Sequence, residues 1–216
     1  MPQPSDDAFE KVLRSSWFAE LERAGFGKTK GRWHFRRVRS PYIDLVELQR
    51  RSDGQAACVN LGLHLDFLPP PSSDNLRPED CAIGNCAIQA RLTPSDDLPD
   101  YWWGFGDTDL EAVRSAEDLI RCFVQRGLPF FDYYTDLPGP FGLVSVESLR
   151  VGSYLRVQIK GNFTSPALAA LVLARIHEHL QDWTKAEAFA QFGIGFGLKH
   201  KFEPILIRTA QALGRT

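Results

Sequence analysis

Ala57-Cys58-Val59-Asn60-Leu61-Gly62-Leu63-His64-Leu65-Asp66-Phe67 is the stretch that decides the fold. Every odd position is apolar, while Cys58, Asn60, Gly62, His64 and Asp66 hold the even ones, so the period is two without a break. One face of this strand is core and the other is not, and a sheet with one apolar face needs a covering layer. The N-terminal segment supplies a candidate for it. From Asp6 to Ala24, Phe9, Val12, Leu13, Trp17 and Leu21 recur at three and four, the stripe of an amphipathic helix capped by Ser5 or Asp6 and stopped at Gly25.

Working outward, Arg32 to Val38 and Tyr42 to Arg50 alternate as strands, and Arg39-Ser40-Pro41 and Arg51-Ser52-Asp53-Gly54 hold the residues that reversals prefer. Leu68-Pro69-Pro70-Pro71-Ser72-Ser73-Asp74 cannot continue a sheet. Cys86, Ile88, Ala90 and Leu92 then read as a fourth strand, and Leu98 to Asp107 as an aromatic loop. A helix follows from Thr108 to Gln125, and a short one after Pro129. Gly139 to Asn162 reads two ways: Tyr154 to Ile159 alternates as a strand, and Val144 to Arg150 suits a helical turn.

From Thr164 the composition turns to Ala, Leu and helical periodicity, giving helices at Pro166 to Gln181, Trp183 to Lys199 and Phe202 to Leu213. The first two loosely resemble a tetratricopeptide hairpin, but a single unit builds no groove. The expected architecture is therefore α+β: an antiparallel sheet of about four to five strands covered on one face by helices, over residues 1–162, with a C-terminal helical appendage over residues 163–216.

The whole chain of 216 residues carries 25 basic and 27 acidic side chains, a net charge of -2, which excludes a generally basic nucleic-acid coat. Counted by segment the balance is uneven. Lys11 to Arg51 has a surplus of +7, Ser52 to Arg150 a deficit of -10 and Val151 to Thr216 a surplus of +4. Such segments either attract one another within the fold or expose an acidic face. No apolar run is long enough to span a bilayer, and the acidic start MPQPSDDAFE is unlike a secretory leader, so a cytoplasmic location is expected. Cys58, Cys81, Cys86 and Cys122 lack zinc spacing and read as small buried hydrophobes, with no metal site expected.

Gly25-Phe26, Arg32-Trp33-His34-Phe35-Arg36-Arg37, Leu48-Gln49-Arg50, Val59-Asn60-Leu61-Gly62, Arg91-Leu92 and Trp102-Trp103 together resemble the bacterial domain-of-unknown-function family numbered four-three-zero-four, over roughly residues 6 to 136. The resemblance implies an α+β domain. It brings no activity, cofactor or catalytic residue.

Two groups of residues stand out as candidate sites. On the even face of the central strand, Asn60 and His64 are placed to meet Gln49 or Glu47 on one side and Gln89 or Arg91 on the other. Gln49, Asn60, His64 and Arg91 would suit a small polar or anionic ligand, or simply face water. The second group is the loop with Tyr101, Trp102 and Trp103, flanked by Asp107 and Asp109, which suits partner binding or the plugging of a small core. Consecutive Trp102 and Trp103 in an extended segment face opposite ways, so at most one is buried on the core side.

Other motifs carry less. The basic run Arg23 to Arg39 interleaves Trp33 and Phe35, but its charges divide between two strand faces, which disfavours nucleic acid. His177 and His179 lie about 200° apart on a helix, which does not suit a metal pair. Gly193-Ile194-Gly195-Phe196-Gly197 follows a helix and lacks the nucleotide-loop order. No nucleophile elbow is present.

These readings lead to a non-catalytic protein-binding or interaction domain that neutralises a basic partner through its acidic middle segment, with no cofactor. The alternative is a small-ligand binder or enzyme using the polar sheet face. A homodimer through the C-terminal helices, with Phe189, Phe192, Ile194, Phe196 and Phe202 at its apolar surface, is a further expectation.

Overall fold

The computed structural model describes residues 4–69, 80–152, 160–163 and 165–215. Its sheet is an antiparallel meander of β1 (Gly27–Lys28), β2 (His34–Arg39), β3 (Tyr42–Arg50), β4 (Ala56–Leu65) and β5 (Ile88–Arg91) in chain order. A two-residue β6 (Trp103–Gly104) pairs with the start of β4. The architecture is the expected α+β one. β1 and β6 were not legible, because two residues are too short to show a period. The expected strand over Tyr154 to Ile159 and most of the proline excursion lie outside the described residues.

Helices cover the odd face of β4. The N-terminal helix runs as α1 (Pro4–Val12), passes through a π-turn at Leu13–Trp17 and continues as α2 (Phe18–Arg23). Beside it, α3 (Asp109–Cys122) begins with a complete capping box from Thr108 and Glu111, then passes through a second π-turn at Phe123–Gly127 into α4 (Leu128–Asp132). Trp17 and Phe123, one from each π-turn, meet edge to face at 5.8 Å, and Trp17 also meets Phe35 of β2 at 5.6 Å. Phe9, Leu13, Trp17 and Leu21 are buried as the stripe requires, against Ala57, Val59, Leu61, Leu63 and Leu65.

The even face departs from the expectation of a water-washed surface. Cys58, Gly62 and His64 are all buried. A turn at Cys81–Cys86 closes over Gly62, and a Cβ there would stand 2.6 Å from Cys86 Sγ, so only glycine admits that approach. Ile43, Leu45, Cys81 and Cys86 make a second, smaller apolar cluster on this face.

A carboxylate lies inside the main core. Asp44 is fully buried and accepts from Arg37 Nε at 2.8 Å and from Arg39 Nε and Nη2 at 2.7 and 3.1 Å. Arg37 also donates to the Ala24 carbonyl at the end of α2, and Arg39 to the Phe131 and Tyr134 carbonyls at the end of α4. Both are helix C-termini, where unpaired carbonyls favour a cation.

Of the segment between these layers, Val144 to Arg150 takes its helical reading: α5 (Val146–Val151) is capped by Ser145. The C-terminal helices α6 (Pro166–His179), α7 (Trp183–Ile194) and α8 (Lys199–Ala212) pack on one another, with the Phe202 ring seated where a Cβ on Gly193 would be. That contact accounts for Gly193 as a packing residue. Phe189 and Phe202 are buried within the helices, whereas Phe196 and Ile207 remain exposed. His179 stacks on Phe67, which ties α6 to the end of β4.

His177 is buried on α6 against Phe189, with Nδ1 3.4 Å from Asp182 but neither ring nitrogen hydrogen-bonded. Burial lowers its pKa from 6.5, outweighing the opposing pull of Asp182. The folded chain therefore binds fewer protons than the unfolded one below that pH. Stability is retained above about pH 6.5 and falls as the pH drops through the lowered folded value. Urea midpoints at pH 7 and pH 5 will differ less in His177→Gln than in the parent. Asp44→Ala leaves two arginines without their shared carboxylate and will lower the unfolding free energy by about 3 kcal/mol or more, measured in denaturant.

Candidate functional site

Strand register assembles a polar row across four strands. His34 pairs with Glu47, Glu47 with Asn60 and Asn60 with Arg91, so all four side chains emerge on the even face in one line. His34 Nε2 lies 3.3 Å from Glu47 Oε1, and Asn60 Nδ2 donates to Glu47 Oε2 and Gln49 Oε1 at 3.0 Å each. Arg91 Nη1 reaches the same Gln49 oxygen at 3.5 Å and also contacts the Cys58 sulfur. Gln49, Asn60 and Arg91 therefore come together as expected.

His64 does not join them. It sits two rows further along β4, where Nε2 lies 3.0 Å from the Leu68 carbonyl and the ring is enclosed by Leu68, Pro69 and the α6 residues Leu168, Leu171 and Val172. Period two gave its face correctly, but the helix that closes over that end of the face arrives from more than a hundred residues away. His34 was overlooked as a member of the row. Its even phase with Arg36 and the short turn between β2 and β3 were the available signal.

The aromatic loop divides as the extended geometry requires. Trp103 is buried in the core and donates from its indole to Asp118 at 3.0 Å, with Tyr101 edge-on at 4.8 Å. Trp102 is half-buried on the other side, its indole donating to Asp100 at 2.9 Å. Arg91 brings the two candidate groups together: its guanidinium lies 5.2 Å over the Trp102 ring while Nε pairs with Asp100 at 3.0 Å. Asp107 and Asp109 are exposed at the start of α3, where carboxylates favour the helix N-terminus.

The uneven charge distribution resolves into local pairs. Arg32 and Arg50 reach Glu10, Arg50 also reaches Asp6, and Arg37 and Arg39 share Asp44, so much of the basic segment is neutralised from the N-terminus and from within its own sheet. In the acidic middle, Asp96 pairs with Arg126, Asp100 with Arg91 and Asp118 with Arg121. Asp97, Asp107, Asp109 and Glu117 stay exposed. Trp33 and Phe35 are buried, so neither offers a ring on which a base would stack.

Beside the polar row lies a depression of ≈ 230 Å³ lined by Asn60, Ile83, Gln89, Ala90, Arg91 and Asn162. A larger, more enclosed groove of ≈ 810 Å³ adjoins it, lined by Arg91, Arg126, Phe130, Lys160 and Asn162 among others. Among the described residues no group of three or more histidine, cysteine or acidic side chains is arranged to hold a metal ion, and none of their helices is long and apolar enough to cross a membrane. The row offers hydrogen-bond donors, acceptors and a cation on a firm backbone, with no nucleophile beside an acid-base pair.

The division of the loop has a measurable consequence. Trp103→Ala removes a fully buried indole and will cost about 3–5 kcal/mol in denaturant unfolding. Trp102→Ala will cost under about 1.5 kcal/mol, because its ring is half in water.

No curated protein and no solved structure matches this chain. The model of one family, described as Domain of unknown function (DUF4304), matches residues 17–133, from the first π-turn through the end of α4. That match spans β1 to β6 with the whole polar row and aromatic loop, more than half of the chain, and the protein belongs to this family.

Proposed function

We propose that this is a non-catalytic protein-binding domain of the bacterial cytoplasm, whose recognition surface is the polar row together with Tyr101 and Trp102. The observation that carries the reading is the position of Arg91, which is fixed at once by Gln49 of the sheet and by Asp100 and Trp102 of the loop. A half-buried tryptophan, a tyrosine and an oriented arginine are the residue types that dominate binding energy at protein interfaces. Their preorganisation keeps the entropic cost of docking low. Exposed Asp97, Asp107 and Asp109 flank the loop in sequence and suit a basic partner, raising the encounter rate.

The depression beside Asn60 supports a second reading, a small polar or anionic ligand held by Asn60, Arg91 and Asn162. A dimer through the C-terminal helices has less to rest on, since Phe189 and Phe202 already pack within them.

Placing a photo-crosslinking amino acid at position 102 in the native host, with position 207 on α8 as control, distinguishes these readings. A salt-sensitive adduct with one basic protein at 102 and none at 207 is the expected result. No adduct at 102, or equal adducts at both positions, would overturn the protein-binding proposal; a ligand that shifts Asn60 and Arg91 resonances without any adduct would favour the second reading.

A further inference from the structure

We propose that Cys81 and Cys86 form a peroxide-oxidisable dithiol, in which Cys81 is attacked first and Cys86 closes a reversible disulfide onto it. The two Sγ atoms are 3.9 Å apart, brought together by the single 3-10 turn Ile83–Asn85. Both also lie near the Ala82 carbonyl, at 3.4 and 3.5 Å. The sheet is shaped to receive this pair, since the missing Cβ of Gly62 is what makes room for Cys86 Sγ.

The pair is asymmetric. Cys81 lines an open groove of ≈ 300 Å³ whose walls include Lys30, His34 and Arg36, with Asp80 beside it, whereas Cys86 is entirely buried. Arg36, whose Nε is buried without a hydrogen-bond partner, lines the same groove and brings a positive charge to the Cys81 side of the pair. The hydrogen bond with Cys86 draws the Cys81 thiol down from the usual range to about 6; burial opposes this, and His64 and Arg36 add to it. Burial above all, with Cys81 and Asp44 adding, holds Cys86 well up as a thiol. Cys58 and Cys122, pushed up to about 11 by burial, are the unreactive reference within the same chain.

Cys81 is only 2% exposed, so the oxidant must be small, and hydrogen peroxide fits. The Cys81 thiolate attacks one peroxide oxygen; the S–O bond forms, the O–O bond breaks, and the departing hydroxide takes up the proton that Cys81 released. The Cys86 sulfur then attacks the Cys81 sulfenic sulfur, forming S–S and breaking S–O, while the Cys86 proton passes to the departing hydroxide and leaves as a second water. Two thiols and one peroxide become one disulfide and two waters. The sulfurs must close from 3.9 Å to about 2.05 Å, a shift that one short turn can make.

Intact and peptide mass spectrometry of the full chain after hydrogen peroxide treatment tests this. The expected result is loss of two hydrogens, a Cys81–Cys86 crosslink reversed by dithiothreitol, and oxidation of Cys58 and Cys122 at least about tenfold slower. Cys86→Ser will stop at a sulfenic acid on Cys81 that dimedone traps, and Cys81→Ser will leave Cys86 reduced, each checked for folding by circular dichroism. Oxidation of all four cysteines at matching rates in the parent, or over-oxidation of Cys81 with Cys86 untouched, would overturn the proposal.

Discussion

The buried carboxylate of Asp44 holds the sheet and two covering helices in one geometry. It lies on the core face of β3, where an unpaired charge is costly, and two arginines from the neighbouring strand neutralise it. Each arginine has a further donor that reaches a helix C-terminal carbonyl, Arg37 at the end of α2 and Arg39 at the end of α4. The sheet and both covering helices are thus fixed by directional bonds as well as by apolar packing. Hydrophobic burial alone would let those helices slide, since it is nearly indifferent to direction.

That arrangement shows why part of the fold was legible in the sequence and part was not. The alternation from Ala57 to Phe67 and the stripe from Phe9 to Leu21 are local patterns, and local periodicity sets both the element and its buried face. The ends of Tyr42–Arg50 were readable because turn residues mark them. Asp44 itself was not legible: the short turn sets Arg37 opposite it, but a carboxylate on a core phase of β3 gives no local sign that it is buried or that Arg39 will reach it from beside Tyr42. The same applied to Gly62 and His64, whose burial comes from a turn and a helix distant in the chain.

The candidate site follows the same rule. Asn60 and its row on the even face are readable from phase, given the register. The link between Arg91 and Trp102 is not, because it depends on how the chain re-enters after β5 to place β6 beside the start of β4. Two features that look independent along the sequence therefore share one guanidinium. The loop and the row are thus joined physically through Arg91.

The two π-turns bear on what lengths the chain tolerates. Each one takes in a residue more than an α-turn would, and each lies where Trp17 and Phe123 touch. The extra residue is absorbed within its own turn, whereas adding or removing one residue in the regular part of α1 or α3 would rotate everything beyond it by about 100°. Leu21 and Ala24, or Phe130 and Phe131, would then leave their places, and the carbonyls that Arg37 and Arg39 hold would go with them. Insertions and deletions in the regular parts of these helices are thus constrained as tightly as core composition, and variation in length belongs in the two π-turns and in the loops outside the helices.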